Sequence, residues 1–261
     1  MPNEFQKITR TDEIFFKYAK GMRDVVGKEV HTYNEILFFI SGDVEFISEK
    51  GRETLSPNTA VIIPKEMFHQ FIVIGDNSDY IRCVFNFESV SELENLIFSK
   101  INKIMLLQSE KINELFETLM NIDSMNLTKT EADILLKSLF AQILVSIKTE
   151  GSVFLNQASF FNPKVEAALS YINKNLQNPI TVPDIAKALN ISDSHLAHIF
   201  KKDMHISVHK YILEKRLVLA RNKIRSSTPP ERAAIESGFN DYSGFFVQFK
   251  KMFGVSPSKI K

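Results

Sequence analysis

The chain has 261 residues, 44% of them hydrophobic, with 22 phenylalanines, one cysteine and a formal charge of +1. A single cysteine excludes a disulfide framework; the first residues, Met-Pro-Asn-Glu-Phe-Gln-Lys, lack a signal-peptide core, and no run approaches the roughly 18 apolar residues of a membrane span. The near-neutral total hides an asymmetry, because from Pro163 onward there are 16 Lys and Arg against 8 Asp and Glu, a net of +8, while the first 162 residues hold 16 against 23, a net of −7.

Up to about residue 90, short apolar runs alternate with turn formers. The runs are Glu35 to Ile40, Val44 to Ile47, Ala60 to Pro64, Phe71 to Ile74 and Tyr80 to Phe87, broken by Ser41-Gly-Asp, Lys50-Gly, Ser56-Pro-Asn and Gly75-Asp-Asn-Ser. Many short strands with close turns predict a β-sandwich or small barrel. Period two sends His31, Tyr33 and Glu35 to one face of the first of these strands and Ile36, Phe38 and Ile40 to the other. Such a polar row suits the lumen of a barrel, with His69 converging on it from another strand. Arg82, beside Tyr80 on a late strand, is placed to pair either an anionic ligand or a structural carboxylate. Cys83, alone in an apolar strand, reads as inert filling.

Two of these segments also carry a resemblance. His31-Thr-Tyr33-Asn-Glu35, followed after six residues by Gly42, resembles the first cupin motif, and Pro64-Lys-Glu-Met-Phe-His69 resembles the second. The resemblance implies a cupin-like β-barrel over about residues 1–90. Metal-binding cupins carry two His and a Glu on the first motif and one His on the second. Here Tyr33 takes one His position and Glu35 follows it more closely than the family's Glu does. His31, Glu35 and His69 offer three N/O donors that could in principle hold a divalent ion. The expectation is instead an organic effector held by His31, Tyr33, Glu35, His69 and Arg82, with no metal and no cofactor.

After Ser89 the pattern turns helical, at roughly Ser91–Phe98, Glu110–Ile122 and Lys129–Thr149. Leu115, Leu119 and Ile122 form one amphipathic row, and Ile134, Leu135, Leu139, Ile143 and Ile147 another. These rows cover the barrel and each other, or meet a second copy. Residues 151–162 read as a linker, with Pro163 opening the next helix, so that residues 1–150 and 163–261 form separate domains.

The last hundred residues contain two helix-turn-helix patterns in series. The first runs from Thr181 through Asn190 and Ile191 to Lys201, and the second from Thr228 through Gly238 and Asp241 to Met252. Thr181 with Asp184 and Thr228 with Glu231 fit the capping-box pattern, and Pro229 fits the first helical position. Ser192, Ser207 and Asp241 are predicted N-caps of three further helices. Val208 to Arg225 contains no Gly or Pro, and Tyr211, Ile212, Leu217, Val218, Leu219 and Ile224 give it a buried stripe. It predicts a long helix holding the two motifs at a fixed separation. The local excess of basic residues is the electrostatic signature of phosphate binding.

These segments resemble the DNA-binding domain of the AraC family of bacterial transcription regulators. The resemblance is carried by Asp184-Ile185-Ala186, Ser192-x-x-x-Leu196-x-x-x-Phe200-Lys201, Tyr211-x-x-x-Lys215-Arg216-Leu217, Gly238-Phe239-x-Asp241, Phe245-x-x-x-Phe249-Lys250-Lys251 and Phe253-Gly254-Val255-Ser256-Pro257. It implies two subdomains on successive major-groove segments of promoter DNA. Ser194, Ala197 and His198 of the first recognition helix and Tyr242, Ser243, Phe246 and Val247 of the second would then face the bases. Lys201, Lys202, Lys250 and Lys251 would meet phosphates. Three departures stand out: His205 replaces the usual Gly after the first recognition helix, Pro230 and Ala233 replace larger aliphatic residues, and His198 and Val247 stand where Arg is common. Without an Arg fork no bidentate reading of guanine occurs there, which predicts A·T-rich sites read through thymine methyls, phosphates and shape.

The whole is therefore expected to be an α+β protein. A cupin-like N-terminal barrel followed by helices precedes an all-α domain with two helix-turn-helix motifs joined by a long helix. The expected function is a cytoplasmic, sequence-specific transcription activator answering a small-molecule effector. The resemblance adds a homodimer and contact with RNA polymerase. No Gly-rich phosphate loop, G-x-S-x-G elbow or paired Cys motif points to an enzyme. Two alternatives stay open: an effector-free regulator whose barrel is a dimerisation scaffold, and a metal-dependent cupin enzyme with a DNA-binding appendage.

Overall fold

A computed structural model of the chain describes residues 5–10, 14–21, 30–74, 79–87, 95, 97–98, 101, 103–150, 153–154 and 161–260. The chain divides into two units, Met1–Ser159 and Phe160–Lys261. Most of the predicted helix Ser91–Phe98 and most of the stretch 151–162 lie outside the described residues.

The first unit is built on ten strands among the described residues: β1 (Phe5–Arg10), β2 (Ile14–Lys20), β3 (Asn34–Ser41), β4 (Val44–Ser48), β5 (Gly51–Thr54), β6 (Thr59–Ile63), β7 (His69–Val73), β8 (Ile81–Phe87), β9 (Met105–Leu107) and β10 (Val153–Phe154). They form a seven-stranded sheet in the order β1-β2-β8-β3-β6-β9-β10 and a three-stranded sheet in the order β5-β4-β7, every pairing antiparallel. The pairing of Val153 with Leu106 makes part of the expected linker a strand of the first unit.

The central strand β3 explains why its sequence is apolar on both faces. Leu37 and Phe39 pack with Val61, Ile63, Val44, Phe46 and Phe71 between the two sheets. Ile36 and Phe38 pack on the opposite side, with Cys83 and Phe85, against the helices α1 (Glu110–Met120) and α2 (Lys129–Thr149). Phe38 stacks on Phe116 with centroids 4.4 Å apart, and Phe85 meets Phe140 at 5.0 Å. The abundant phenylalanines thus form the joint between sheet and helices, where each buries a large apolar area. Cys83 lies fully inside this layer, and burial pushes its thiol pKa up against the opposing charge of Arg82, which leaves it inert.

Both helices begin where side chains satisfy the first-turn amides. The Ser109 hydroxyl accepts from Ile112 N at 3.1 Å, and Thr128 and Glu131 form a capping box. The predicted row Leu115, Leu119 and Ile122 is buried. The second row needs correcting: Ile134 is 64% exposed and Leu135 half-buried. Leu139, Ile143 and Ile147 of that row are buried as expected, and Leu136, Phe140 and Leu144 complete the buried stripe of α2.

The second unit is all helical: α3 (Pro163–Asn175), α4 (Val182–Ala188), α5 (Asp193–Met204), α6 (Val208–Arg225), α7 (Pro230–Glu236) and α8 (Tyr242–Phe253), closed by a 3-10 turn at Pro257–Lys259. Thr181 and Asp184 make the expected capping box, and Ser192, Ser207 and Asp241 each cap the helix that follows. The predicted box of Thr228 and Glu231 does not form. α7 starts one residue later, with Pro230 at its first position and Pro229 as a cap lacking any side-chain oxygen. The long helix α6 has the predicted ends, with Tyr211, Ile212, Leu217, Val218 and Ile224 buried and Leu219 half-buried. Small residues sit beneath the second motif, Ala233 and Ala234, and Phe245 and Phe249 reach across them to Leu217, Ala220 and Ile224.

Candidate nucleic-acid interface and buried histidine cluster

Each helix-turn-helix buries one face of its second helix and presents the other. On α5, Leu196, Ile199 and Phe200 are buried, while Ser194, Ala197 and His198 are exposed. On α8, Phe245 and Phe249 are buried, Ser243 and Phe246 are exposed, Tyr242 is half-buried and Val247 is 61% exposed. Phe246 and Val247 therefore do not pack inward. An exposed Val and Phe on a helix face run against the usual burial of such residues and suit contact with apolar groups outside the chain. Lys201, Lys202, Lys250 and Lys251 are all exposed and lie in the last turns of the two helices. Cations there are favoured by the helix dipole and remain available to phosphate oxygens.

The separation of the two motifs is fixed by more than α6. From the middle of that helix, Arg216 donates through Nε to the Leu176 carbonyl at 2.9 Å and through a terminal nitrogen to the Asn178 carbonyl at 2.6 Å. Gly238, in the turn of the second motif at φ 88°, lies against this pair: a Cβ there would stand 2.8 Å from Arg216 Nε and 2.8 Å from the Leu176 oxygen. Arg216 and Gly238 thus connect the loop after α3, the long helix and the second turn. Sequence reasoning quoted both within motifs without giving either a task. The only local sign was a Gly in a helix-turn-helix turn, which the first motif replaces by Asn190.

In the first unit the structure brings together His31, Glu35 and His69. Their potential ligand atoms all lie within 4.8 Å of one another, and all three residues are buried. His31 lies before a bend at Thr32 and Tyr33 that leads into β3, Glu35 is the second residue of β3, and His69 opens β7 in the other sheet. The polar row is therefore not one strand, as period two suggested. Tyr33 is half-buried and stacks on the His31 ring, with centroids 4.0 Å apart. His31 Nε2 lies 3.6 Å from Glu35 Oε2, and His69 Nε2 lies 3.8 Å from Glu35 Oε1. His31 Nδ1 meets the Tyr33 carbonyl at 2.8 Å and His69 Nδ1 meets the Met67 carbonyl at 3.1 Å.

Burial lowers the pKa of His31 to about 3, helped by the neighbouring His69, and that of His69 to about 4. Both rings are neutral at pH 7. Asn86 was missed by sequence reasoning. It pairs directly with Glu35 across β3 and β8, and its amide, turned to donate, reaches Glu35 Oε2 at 3.0 Å. Arg82 does not join the cluster. It pairs with Phe39, four residues along β3 from Glu35, donates to the Gly21 carbonyl at 2.9 Å and lies 4.3 Å over the Tyr80 ring. Beyond Glu35, the space between the sheets is filled by Leu37, Phe39, Phe46 and Phe71.

Comparison with known proteins finds a family match within the second unit and a relative along most of the chain. The helix-turn-helix domain family matches residues 185–261. The chain is 26% identical over 235 residues to the probable transcriptional regulator LumQ of Photobacterium leiognathi, covering 88% of this chain and 90% of that protein. It is 31% identical over 131 residues to the lactose operon transcription activator of Staphylococcus xylosus, covering 49% of this chain and 47% of that protein, so it spans about half the length of this relative. Among solved structures, a transcriptional regulator from Chromobacterium violaceum, described as containing an AraC-type DNA-binding domain, is 28% identical with a TM-score of 0.35, covering 37% of this chain and 88% of that chain. Among the described residues no helix is long and apolar enough to cross a membrane.

Proposed function

This chain is a DNA-binding transcription regulator of the AraC type, and from that premise we propose how its parts divide the work. The recognition helices α5 and α8 enter successive major-groove segments of one promoter site. Ser194, Ala197 and His198 face the bases of one segment, and Tyr242, Ser243, Phe246 and Val247 those of the other. Lys201, Lys202, Lys250 and Lys251 hold the flanking phosphates. The observation that carries this reading is the pair of helices with exposed outer faces, each ending in two exposed lysines. With Val and Phe outward and no Arg, the second helix favours thymine methyls over guanine edges.

The first unit is the regulatory part. A small molecule acting at the end lined by His31, Tyr33, Glu35 and His69 modulates DNA binding by favouring one of two states of the protein. The apolar filling beyond Glu35 confines such a ligand to that end. Activation is the proposed sign of regulation, in keeping with the name of the Staphylococcus xylosus relative, and implies contact with RNA polymerase. Ile134 and Val145 lie three helical turns apart on one face of α2, 64% and 42% exposed, and support a homodimer formed through that helix.

The test is selection of bound duplexes from a random library by the full-length protein at fixed salt. The expected product is an A·T-rich site with two elements about 10 base pairs apart. Lys201→Ala or Lys250→Ala should weaken binding to all sequences alike and flatten the dependence of log K on log salt by about 0.9. An unenriched pool, or salt-insensitive binding, would reject the reading.

A further inference from the structure

We propose that His31, Glu35 and His69 bind a divalent first-row transition-metal ion of the zinc or iron(II) class. The inference deepens the regulatory reading of the first unit and rests on it, because it names the chemistry of the ligand at that same end. It begins with hydrogen-bond bookkeeping. A carbonyl oxygen only accepts, so the contacts of His31 Nδ1 with Tyr33 O at 2.8 Å and His69 Nδ1 with Met67 O at 3.1 Å place a proton on both Nδ1 atoms. The two Nε2 atoms are then left as lone-pair donors, and both are turned toward the Glu35 carboxylate, at 3.6 Å and 3.8 Å.

Those separations exceed a hydrogen bond, so no shared proton bridges them. His31 Nε2 is enclosed and has no hydrogen-bond partner among the described residues. Two imidazole lone pairs and a carboxylate thus converge in one buried place, a donor set that suits a cation. Ligand atoms around such an ion sit about 2.0–2.2 Å from it and therefore about 3–3.5 Å from each other. The two separations to Glu35, 3.6 Å and 3.8 Å, lie just outside that range, and all the ligand atoms lie within 4.8 Å of one another, so closing on an ion needs only small side-chain movements.

The surroundings match what orients metal ligands. Each ring is fixed through Nδ1 by a backbone carbonyl, Tyr33 stacks on His31, and the Asn86 amide steadies the Glu35 oxygen that faces His31. Two imidazoles and a carboxylate without thiolate suit zinc, iron(II) and their neighbours, and three protein ligands leave positions open to an oxygen-bearing molecule. The departure of Tyr33 and the spacing of Glu35 from the cupin motifs led the sequence reading to expect no metal. The proposal departs from that expectation because the three side chains converge in the fold.

The experiment uses the full-length protein, stripped with chelator and titrated with cobalt(II), read by visible ligand-field absorption and by metal content per chain. One equivalent per chain with an absorption band is expected, along with a rise in melting temperature. His69→Gln and Glu35→Gln should weaken cobalt binding by more than about 100-fold, and Asn86→Ala by about 10-fold with the band retained. Asn86→Ala keeps the proposal open to test should a ligand variant not fold. A folded wild-type protein with no band and no metal-dependent melting shift overturns it, as does unchanged affinity in His69→Gln. DNA binding is measured on the same samples: loss of the metal result with DNA binding intact removes this inference alone, whereas metal binding without DNA binding removes the regulator reading.

Discussion

In the first helix-turn-helix the tight turn places Asn190 at φ 53°, and in the second it places Gly238 at φ 88°. The backbone around them is otherwise alike: Ile191 N donates to Ala186 O at 3.1 Å, and Phe239 N donates to Ala234 O at 3.1 Å. Both recognition helices then end in a left-handed residue, His205 after α5 and Gly254 after α8. The difference lies in what surrounds equivalent positions. Asn tolerates the left-handed conformation where space is open, whereas at Gly238 the Arg216 guanidinium and the Leu176 carbonyl occupy the place of a Cβ. The outer faces diverge in the same way, polar and small on α5 but aromatic and aliphatic on α8. One backbone plan therefore carries two recognition chemistries, and the turn residue reports which motif is wedged against the rest of its unit.

The sharpest way to break this comparison is Gly238→Ala. A positive φ and a contact with backbone oxygen act together, so the loss should be about 2–4 kcal/mol, a fall in melting temperature on the order of 10 °C or more for a domain of this size. Asn190→Ala should cost only about 1 kcal/mol. Equal losses in thermal denaturation would show that Arg216 swings away and that the second turn is no more constrained than the first. Next in size is Val247→Arg, which places a guanidinium fork where the exposed Val stands. It should create a guanine preference worth about 1–3 kcal/mol at one position of the second element, read by duplex selection, and leave the first element unchanged. No change in the selected site would make α8 a clamp and not a reader.

How much of this was legible depended on whether the cause was local. The ends of α2 and α6 follow from Thr128, Ser207 and runs free of Gly and Pro, and the structure places them as read. The meeting of His31, Glu35 and His69 was visible as motif spacing, though not the bend at Thr32 and Tyr33 that separates His31 from β3. Asn86 was invisible because its place beside Glu35 comes from the pairing of β3 with β8, which joins residues 51 positions apart in the chain. Strand β9, Met105–Leu107, is too short to show alternation, and it exists because β6 offers it an edge. Ile134 was misplaced because several rotations of α2 each look apolar. The Phe116 and Phe140 joints with the sheet, not the hydrophobic count, choose among them.

The two helix starts offer a smaller contrast. Thr181 N donates to Asp184 Oδ2 at 2.9 Å and its hydroxyl to the same oxygen at 2.6 Å, while Thr228 leaves the cap position to Pro229. Thr181→Ala should therefore cost about 1 kcal/mol and Thr228→Ala less than about 0.5 kcal/mol. A comparable loss at both sites in chemical denaturation would mean that Thr228 caps α7 in solution after all.

One further effect runs in the stabilising direction. His205 caps α5 at φ 50°, where a side chain with a Cβ is strained, and Gly254 occupies the matching place after α8 at φ 73° with nothing near its absent Cβ. His205 is exposed, so the substitution His205→Gly removes no buried contact. Relief of the left-handed strain favours glycine, and the greater freedom of glycine in the unfolded chain opposes it. At a helix C-terminus the first term wins, as the enrichment of Gly there reflects. A gain of about 0.5–1 kcal/mol, or a few degrees in melting temperature, is expected with DNA affinity unchanged. A loss of stability would mean that the His205 ring contributes an interaction that outweighs the strain of its backbone. The two helix ends would then differ in energetics as the two turns do, and not merely in residue type.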